Sequence, residues 1–463
     1  MSHRSVIFTL ICILMLPLAG CAAPVIQTTP DVPTPTVTSP ANAMNTPPTA
    51  TTFPLAGRWS GKARNGDAEF EVTIHLLSDC ALNEVCGSFD IPVVPCSGEY
   101  VLSGEQDGVY TFTFTNTSEA CGEGSDSLQL LSDGGLKFTS IGSYGTNQGV
   151  LQRTALPVIF DDDGSPDGTV ALLYLLSEPS ATIKSVIISH GEAHPPVYIQ
   201  HIGRMLADLG HNNIPLGAGA AQALIPVEDF PEWLRELADG FWGFADIADT
   251  RSFPTQDAAG LMVSLLKQSP EPLAIFVSGP CTDLALALRM EPSIKDKISG
   301  VYIMGGAAYV SGNLTDFSAN PQNTSAEWNI YIDPLAASEV FSAGIPVVLI
   351  PLDATNQVSA TTEDTKAWRQ GDAAARRAAD FYDMLLGGDV NRHMGLWDVM
   401  TAVIMTHPEM CPLTPLRLEV TTDAGDHYGQ TVVIGVGDPN VQVCLNPNSD
   451  SIRNQLRETF KGE

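Results

Sequence analysis

Four aspartates within seven residues, Asp161, Asp162, Asp163 and Asp167, carry the densest potential chemistry in this chain. They follow the apolar run 158–160 and flank a Gly164-Ser165-Pro166 turn, after which residues 170–176 are apolar. That order reads as strand, acidic turn, helix. Adjacent carboxylates repel one another, and a hard divalent cation among them relieves the repulsion. Oxygen-only ligands suit Ca²⁺ or Mg²⁺. Such a turn would lie at the carboxyl end of a parallel strand, where open α/β sheets place their ligands. Taken alone, the same cluster also suits a solvated acidic turn capping a helix.

The elements able to position these acids run from residue 156 to 463. β-type runs at 158–160, 183–189, 273–278, 300–304 and 346–352 alternate with helical stretches at 198–209, 258–268, 284–290 and 334–341. The pattern predicts an α/β domain with a mainly parallel sheet flanked by helices. His190, Gly191, Glu192, Ala193 and His194 come directly after one strand, at the same edge as the acidic turn.

Six downstream segments, in order, resemble the motifs of the inosine-uridine-preferring nucleoside hydrolases. Residues 279–288 (GPCTDLALAL) are similar to that family's GPLTNxALAL, and 301–306 (VYIMGG) to VxxMGG. Residues 326–334 (AEWNIYIDP) look like AEFNxxxDP, and 352–357 (LDATNQ) like LDxTxQ. Residues 397–402 (WDVMTA) are similar to (H/W)DPxxA, and 429–433 (GQTVV) take their place near the end. Six weak matches in register outweigh any one of them. The resemblance implies a nucleoside hydrolase-like fold with a Rossmann-like core.

It also implies a Ca²⁺ site. The family's acidic motif is DxDxxxDD, and Asp161, Asp163 and Asp167 match its first three acids. The fourth falls on Gly168, which has no carboxylate to offer, so Asp162 is the candidate substitute. By resemblance the backbone carbonyl of Thr282 and the carboxylate of Asp398 complete the cage. Glu327 and Asn329 are implied to hydrogen-bond ribose hydroxyls, together with Asp167. Lying two apart around Trp328, they would share one face of a strand or extended loop. Of Asn313 and Asn323 in the preceding loop, Asn313 is the preferred further ribose contact. Glu192 stands where a family Asn approaches the sugar, and Met304 ends the strand before the MGG turn.

The implied reaction is calcium-dependent hydrolysis of the N-glycosidic bond of ribonucleosides to ribose and free base, serving base and ribose scavenging. Asp163 is the expected general base toward water. Many relatives have a His just before the C-terminal Asp as leaving-group acid, where this chain has Trp397. Its ring can stack on a base but cannot usefully give a proton. His190, His194 and His393 are the remaining candidates for that role. The alternative is a non-catalytic ribose- or nucleoside-binding lipoprotein that keeps the pocket and has lost turnover. Family members often form homo-oligomers, so one is a candidate here.

The rest of the chain bears on location. His3 and Arg4 precede an apolar stretch too short for a membrane span, ending in Leu18-Ala19-Gly20-Cys21. This resembles a bacterial lipoprotein signal (residues 1–21), which implies lipidation of Cys21 and an extracytoplasmic protein tethered to the cell membrane. Residues 22–52, rich in Pro and Thr, form a disordered linker by composition. Residues 53–153 alternate in period two between turn signals such as Asp107-Gly108, which predicts a small all-β, barrel-like domain. The short 57–61 segment resembles the opening strand of lipocalin-like barrels. Cys80, Cys86, Cys96 and Cys121 suggest two disulfides in one of three pairings, with zinc as the alternative. Cys411 and Cys444 could form a third, and Cys281 reads as packing. A formal net charge of −30 leaves no basic stripe for nucleic acid.

Overall fold

A computed structural model of the chain describes residues 53–461, apart from 56, 77–79, 92–95, 116, 119–120, 144, 227–229, 247, 315–321 and 436. The expected leader with Cys21 and the 22–52 linker lie outside the described residues.

Residues 57–153 form eight antiparallel strands: β1 (Gly57–Asn65), β2 (Ala68–Leu76), β3 (Val85–Ile91), β4 (Cys96–Gln106), β5 (Val109–Thr115), β6 (Gly124–Leu130), β7 (Leu136–Gly142) and β8 (Gly145–Arg153). Pairing of β8 with β1 closes them into a barrel. Alternation drives the closure, since Val72, Ile74 and Leu76 of β2 all point inward. The Asp107-Gly108 turn has φ of 54° and 75°, the paired left-handed conformation that matches hairpin twist. Trp59 plugs one end, its indole N–H donating to the Leu55 carbonyl at 2.8 Å under the Arg153 guanidinium. The cysteines pair as Cys80–Cys86 and Cys96–Cys121, which removes the zinc alternative for all four.

The α/β part begins with β9 (Leu156–Asp162), α1 (Pro166–Ser177), β10 (Ala181–Ile188), α2 (Pro195–Asp208), β11 (Leu216–Ala218), α3 (Glu232–Asp239), β12 (Thr255–Asp257) and α4 (Ala258–Gln268). It continues with β13 (Leu273–Ser278), α5 (Thr282–Met290), β14 (Ile298–Met304), α6 (Trp328–Ile332), α7 (Pro334–Ser342), β15 (Val347–Ile350) and α8 (Leu352–Thr355). A small β16 (Ser359–Ala360) pairs with β17 (Met394–Gly395), and between them run α9 (Thr362–Trp368) and α10 (Ala373–Leu386). The chain closes with α11 (Trp397–Thr406), β18 (Leu413–Val420), β19 (Thr431–Gly435), β20 (Val441–Cys444) and α12 (Ser449–Lys461).

Ten strands make one mixed sheet in the order β12-β11-β10-β9-β13-β14-β15-β20-β18-β19. All neighbours run parallel from β12 to β20, and β18 and β19 add an antiparallel edge. The chain winds outward from β9 to β12, then resumes on the other side of β9 at β13. The gap between the ends of β9 and β13 is therefore the switch point where such sheets leave a crevice. Phe160 and Phe276 stack across these two strands at 4.7 Å. One hydrophobic core lies on each face, with Val158, Phe160, α1 and α11 on one side and Ile159, Ile187, α4 and α5 on the other. Cys411 and Cys444 form a third disulfide, and Cys281 is buried as a free thiol.

Candidate active site

The pleat of β9 extends into the acids. Because Phe160 faces the first core and Ile159 the second, Asp162 follows the first face and Asp161 the second. This corrects the expectation of one acidic turn, since Asp161 and Asp162 still belong to the strand and only Asp163 leaves it. Asp161 stands beside Asp283 of α5, and both of its oxygens are buried with no partner in good hydrogen-bond geometry among the described residues, the Ser189 hydroxyl nearby easing its charge.

Ser165 organises the other acids. It caps α1, its Oγ accepting the Gly168 N–H at 2.8 Å and donating to Asp398 Oδ2 at 2.8 Å. Asp398 lies in the first turn of α11, and its N–H donates to Asp167 Oδ2 at 3.3 Å. Two helix N-termini thus meet at one cluster, and both dipoles favour negative charge there. Asp162 Oδ2 accepts the Gly164 N–H at 2.9 Å, and Oδ1 accepts the Ser278 hydroxyl at 2.9 Å. A Cβ placed on Gly168 would lie 1.7 Å from Asp162 Oδ1. The Asp162 carboxyl therefore fills the room a side chain at 168 would need.

Asp163 accepts the Glu192 N–H on Oδ2 at 3.3 Å, and the Ala193 N–H on its carbonyl at 2.9 Å. The loop after β13 presses against it from the other side. A Cβ on Gly279 would stand 2.7 Å from that of Asp163, so only glycine admits this approach. Thr282 opens α5 just beyond, with its hydroxyl donating to Asp333 Oδ2 at 2.6 Å.

None of Asp161, Asp162, Asp163, Asp167 and Asp398 is more than 7% exposed. Burial, then the neighbouring carboxylates, hold Asp163 and Asp398 well above the usual carboxylate range, and Glu192 likewise. Burial pushes Asp162 up to about 7 and Asp167 up to about 6, with hydrogen bonds pulling back. The charges acting on these groups are other carboxylates, with no lysine or arginine among them. Like charges this close cannot all ionise without protons or a cation.

Among the described residues, no three His, Cys, Asp or Glu side chains are arranged to hold a metal ion as they stand. Asp162 and Asp398 each turn an oxygen to a serine instead. The donor set is nonetheless oxygen-only, buried and uncompensated, which is the chemistry of a hard divalent cation.

The proposed sugar-side residues gather at the end of β14. Glu327 caps α6, accepting the N–H groups of Asn329 (3.0 Å), Gly306 (2.9 Å) and Ile330 (3.2 Å). Burial still pushes it up to about 7. Asn329 donates from Nδ2 to the Met304 carbonyl at 3.1 Å. The expected strand or extended loop is instead a helix N-terminus, because the Glu327 carboxylate satisfies the free amides that open α6. Asn313 lies beside it, accepting the Trp328 N–H at 3.1 Å. Asn323 is tied to the Tyr428 carbonyl and to the backbone amides of Ser325 and Ala326. Trp397 packs with Met304, Ala307 and Leu352, which brings two predicted substrate residues together.

The histidines separate. His194 pairs with Asp239 at 2.8 Å, and His393 is exposed beside Ser359. His190 is buried, with Nδ1 3.4 Å from the Arg235 guanidinium. Arginine only donates, so Nδ1 accepts and a neutral ring carries its proton on Nε2. Sequence reasoning missed Ser165, Ser278 and the aromatic backing of the turn. Tyr198 bonds Thr169 at 2.7 Å, and the Trp242 indole donates to the Gly164 carbonyl at 2.9 Å. Ser165-Pro166 at a helix start was a readable cap signal, whereas Tyr198 and Trp242 carry none.

Comparison with known proteins bears on the family and the fold. Residues 158–454 match the family model described as inosine-uridine preferring nucleoside hydrolase. The chain is 34% identical over 294 residues to a pyrimidine-specific ribonucleoside hydrolase, RihA, of Citrobacter koseri, covering 60% of this chain and 88% of that protein. A purine-preferring ribonucleoside hydrolase from Gardnerella vaginalis superposes with a TM-score of 0.59 at 25% identity, covering 66% of this chain and 98% of that one. An inosine-uridine preferring nucleoside hydrolase from Bacillus anthracis gives 0.56 at 25%, covering 66% and 100%.

Proposed function

Because the chain belongs to the inosine-uridine preferring nucleoside hydrolase family, we propose that it hydrolyses the N-glycosidic bond of ribonucleosides with calcium as cofactor. The observation that carries this reading is the buried, uncompensated set of Asp162, Asp163, Asp167 and Asp398 at the β9/β13 switch point. These four carboxylates and the Thr282 carbonyl would hold the ion. When bound, it would supply positive charge for ribose hydroxyls and lower the pKa of water.

The chain's own residues do the rest. Asp163 takes a proton from the attacking water as its oxygen bonds to C1′ and the C1′–N bond breaks. Neighbouring carboxylates favour the cationic character that develops on the sugar. Asp167, Glu327, Asn329 and Asn313 orient the ribose, and Glu192 lies against Asp163 on the sugar side. Trp397 and Met304 offer an apolar face to the base. His190, buried at the same sheet edge, is the histidine assigned here to protonate a leaving base. The named relatives differ between pyrimidine and purine nucleosides, so the base is a matter for measurement.

The test is base release from a panel of purine and pyrimidine ribonucleosides, with calcium present and then chelated. Calcium-dependent release supports the proposal. Nucleoside binding without release under both conditions overturns it in favour of a binding protein. Three disulfides and the Cys21 signal support an exported, lipid-anchored location.

Calcium should also change the pH dependence of stability. In cation-free protein, Asp162 and Asp167 titrate near about 7 and about 6 when folded, above their ordinary value of 3.8. Between those limits the folded state holds more protons, so stability falls as pH rises through the window. Melting temperatures in chelator should decline from about pH 5 to about pH 8, and the rise on adding calcium should be larger at the higher pH. An equal calcium effect at both ends would overturn the assignment of these acids as ligands. Glu178, pushed up by burial but held down at about 2 by the charge of His407 at 3.6 Å and by the Ser180 and Thr459 hydroxyls, titrates below its ordinary value of 4.5, outside this range.

A further inference from the structure

The barrel holds a second candidate site. Its Trp59 end is plugged, but the opposite end opens on a cavity of about 520 Å³. Phe70, Phe89, Ile91 and Phe114 line this cavity, together with Asp126 and Ser140. The wall is mostly apolar, and an eight-stranded barrel is wide enough to enclose one small ligand.

One group does not belong in such a wall. Asp126 of β6 is 4% exposed, inside an apolar barrel. The Tyr100 hydroxyl donates to its Oδ2 and the Ser140 hydroxyl of β7 also eases its charge, while Oδ1 has no partner in good hydrogen-bond geometry among the described residues. A carboxyl left half-satisfied in an apolar interior is destabilising unless it answers to something else. Burial pushes it up to about 6, so it is readily ionised by a nearby positive charge. Nothing in the hydrolase chemistry uses it.

We propose that the barrel mouth binds a small organic ammonium ion with an aromatic or apolar body. Its ammonium group would donate to Asp126 Oδ1, a charge-assisted bond stronger than a neutral one. Its body would lie among Phe70, Phe89 and Phe114, whose ring faces also attract cations. The net charge of −30 favours approach by a cation and opposes an anion of the same shape. This site is separate from the ribose site and does not depend on catalysis.

The test titrates the full chain with tryptamine, neutral 3-methylindole and anionic indole-3-propionate, by calorimetry. Tryptamine should bind one to one and at least about tenfold more tightly than either isostere. Asp126→Asn should reduce it to the level of 3-methylindole. Ala68→Phe, which narrows the mouth from the inward face of β2 and leaves the carboxyl and its partners in place, should abolish binding without lowering the melting temperature, and so serves if Asp126→Asn folds poorly. Equal binding of the three probes, no binding of tryptamine, or tryptamine binding that survives Ala68→Phe would overturn the proposal.

Discussion

Asp163→Asn should lower calcium-dependent base release by about a thousandfold or more while raising the melting temperature of the cation-free protein. The two effects have opposite signs because the carboxylate has two consequences. As a base it is flanked by both loops that close the switch point, at Glu192 and at Gly279, and loss of a general base alone removes about 10²–10⁴-fold in rate. As a charge it sits among Glu192, Asp162 and Asp167, eased by the Glu192 N–H but with no positive side chain among the charges acting on it. Asparagine keeps the shape and can still accept the Glu192 N–H, yet it removes one member of a repelling set. Single-turnover base release and melting curves with and without calcium would read both effects. Activity within tenfold of the parent would overturn the role of Asp163. Lost activity with lost cation-free stability would instead mean that the substitution damages the fold.

The second large effect concerns Asp162 and Gly168, which compete for one place. Gly168→Asp alone would force a Cβ to within 1.7 Å of Asp162 Oδ1 and add a further carboxylate to a buried cluster. Overpacking and an unpaired charge together should destabilise by about 3 kcal/mol or more. Asp162→Ser alone should fold, relieve repulsion, and weaken calcium binding by about tenfold to a hundredfold. Combining the two restores a carboxylate at 168 and clears its space, so stability and the calcium-dependent melting shift should both recover. Such recovery is strongly non-additive, as expected for residues in contact. A double variant no better than Gly168→Asp would show that Asp162 does not stand in for the missing acid.

Much of this arrangement is legible in the sequence. The strands at 158–160, 183–189, 273–278, 300–304 and 346–352 all recur as β9, β10, β13, β14 and β15. Each is a buried apolar run, the strongest signal a parallel strand can give. β11 and β12 are only three residues long, too short to show a period in the sequence. Glu327 and Asn329 were legible as a pair, but not as a helix cap, since nothing local announces that Glu327 would bond the amides of both α6 and Gly306.

By itself, then, the sequence determined which residue types could act and at which strand ends they stand, because periodicity and motif spacing are local properties of the chain. The tertiary structure alone decided which of them meet. Asp398 reaches Ser165 across 233 positions, and Ser278 reaches Asp162 across 116. Asp161 and Asp162 are neighbours in the chain, yet they face opposite cores because a β-strand sends successive side chains to opposite sides. Asp126 reads as a polar residue in an ordinary hairpin until eight strands close around it. Burial and through-space repulsion set the chemistry of a carboxylate, and both exist only once the chain has folded.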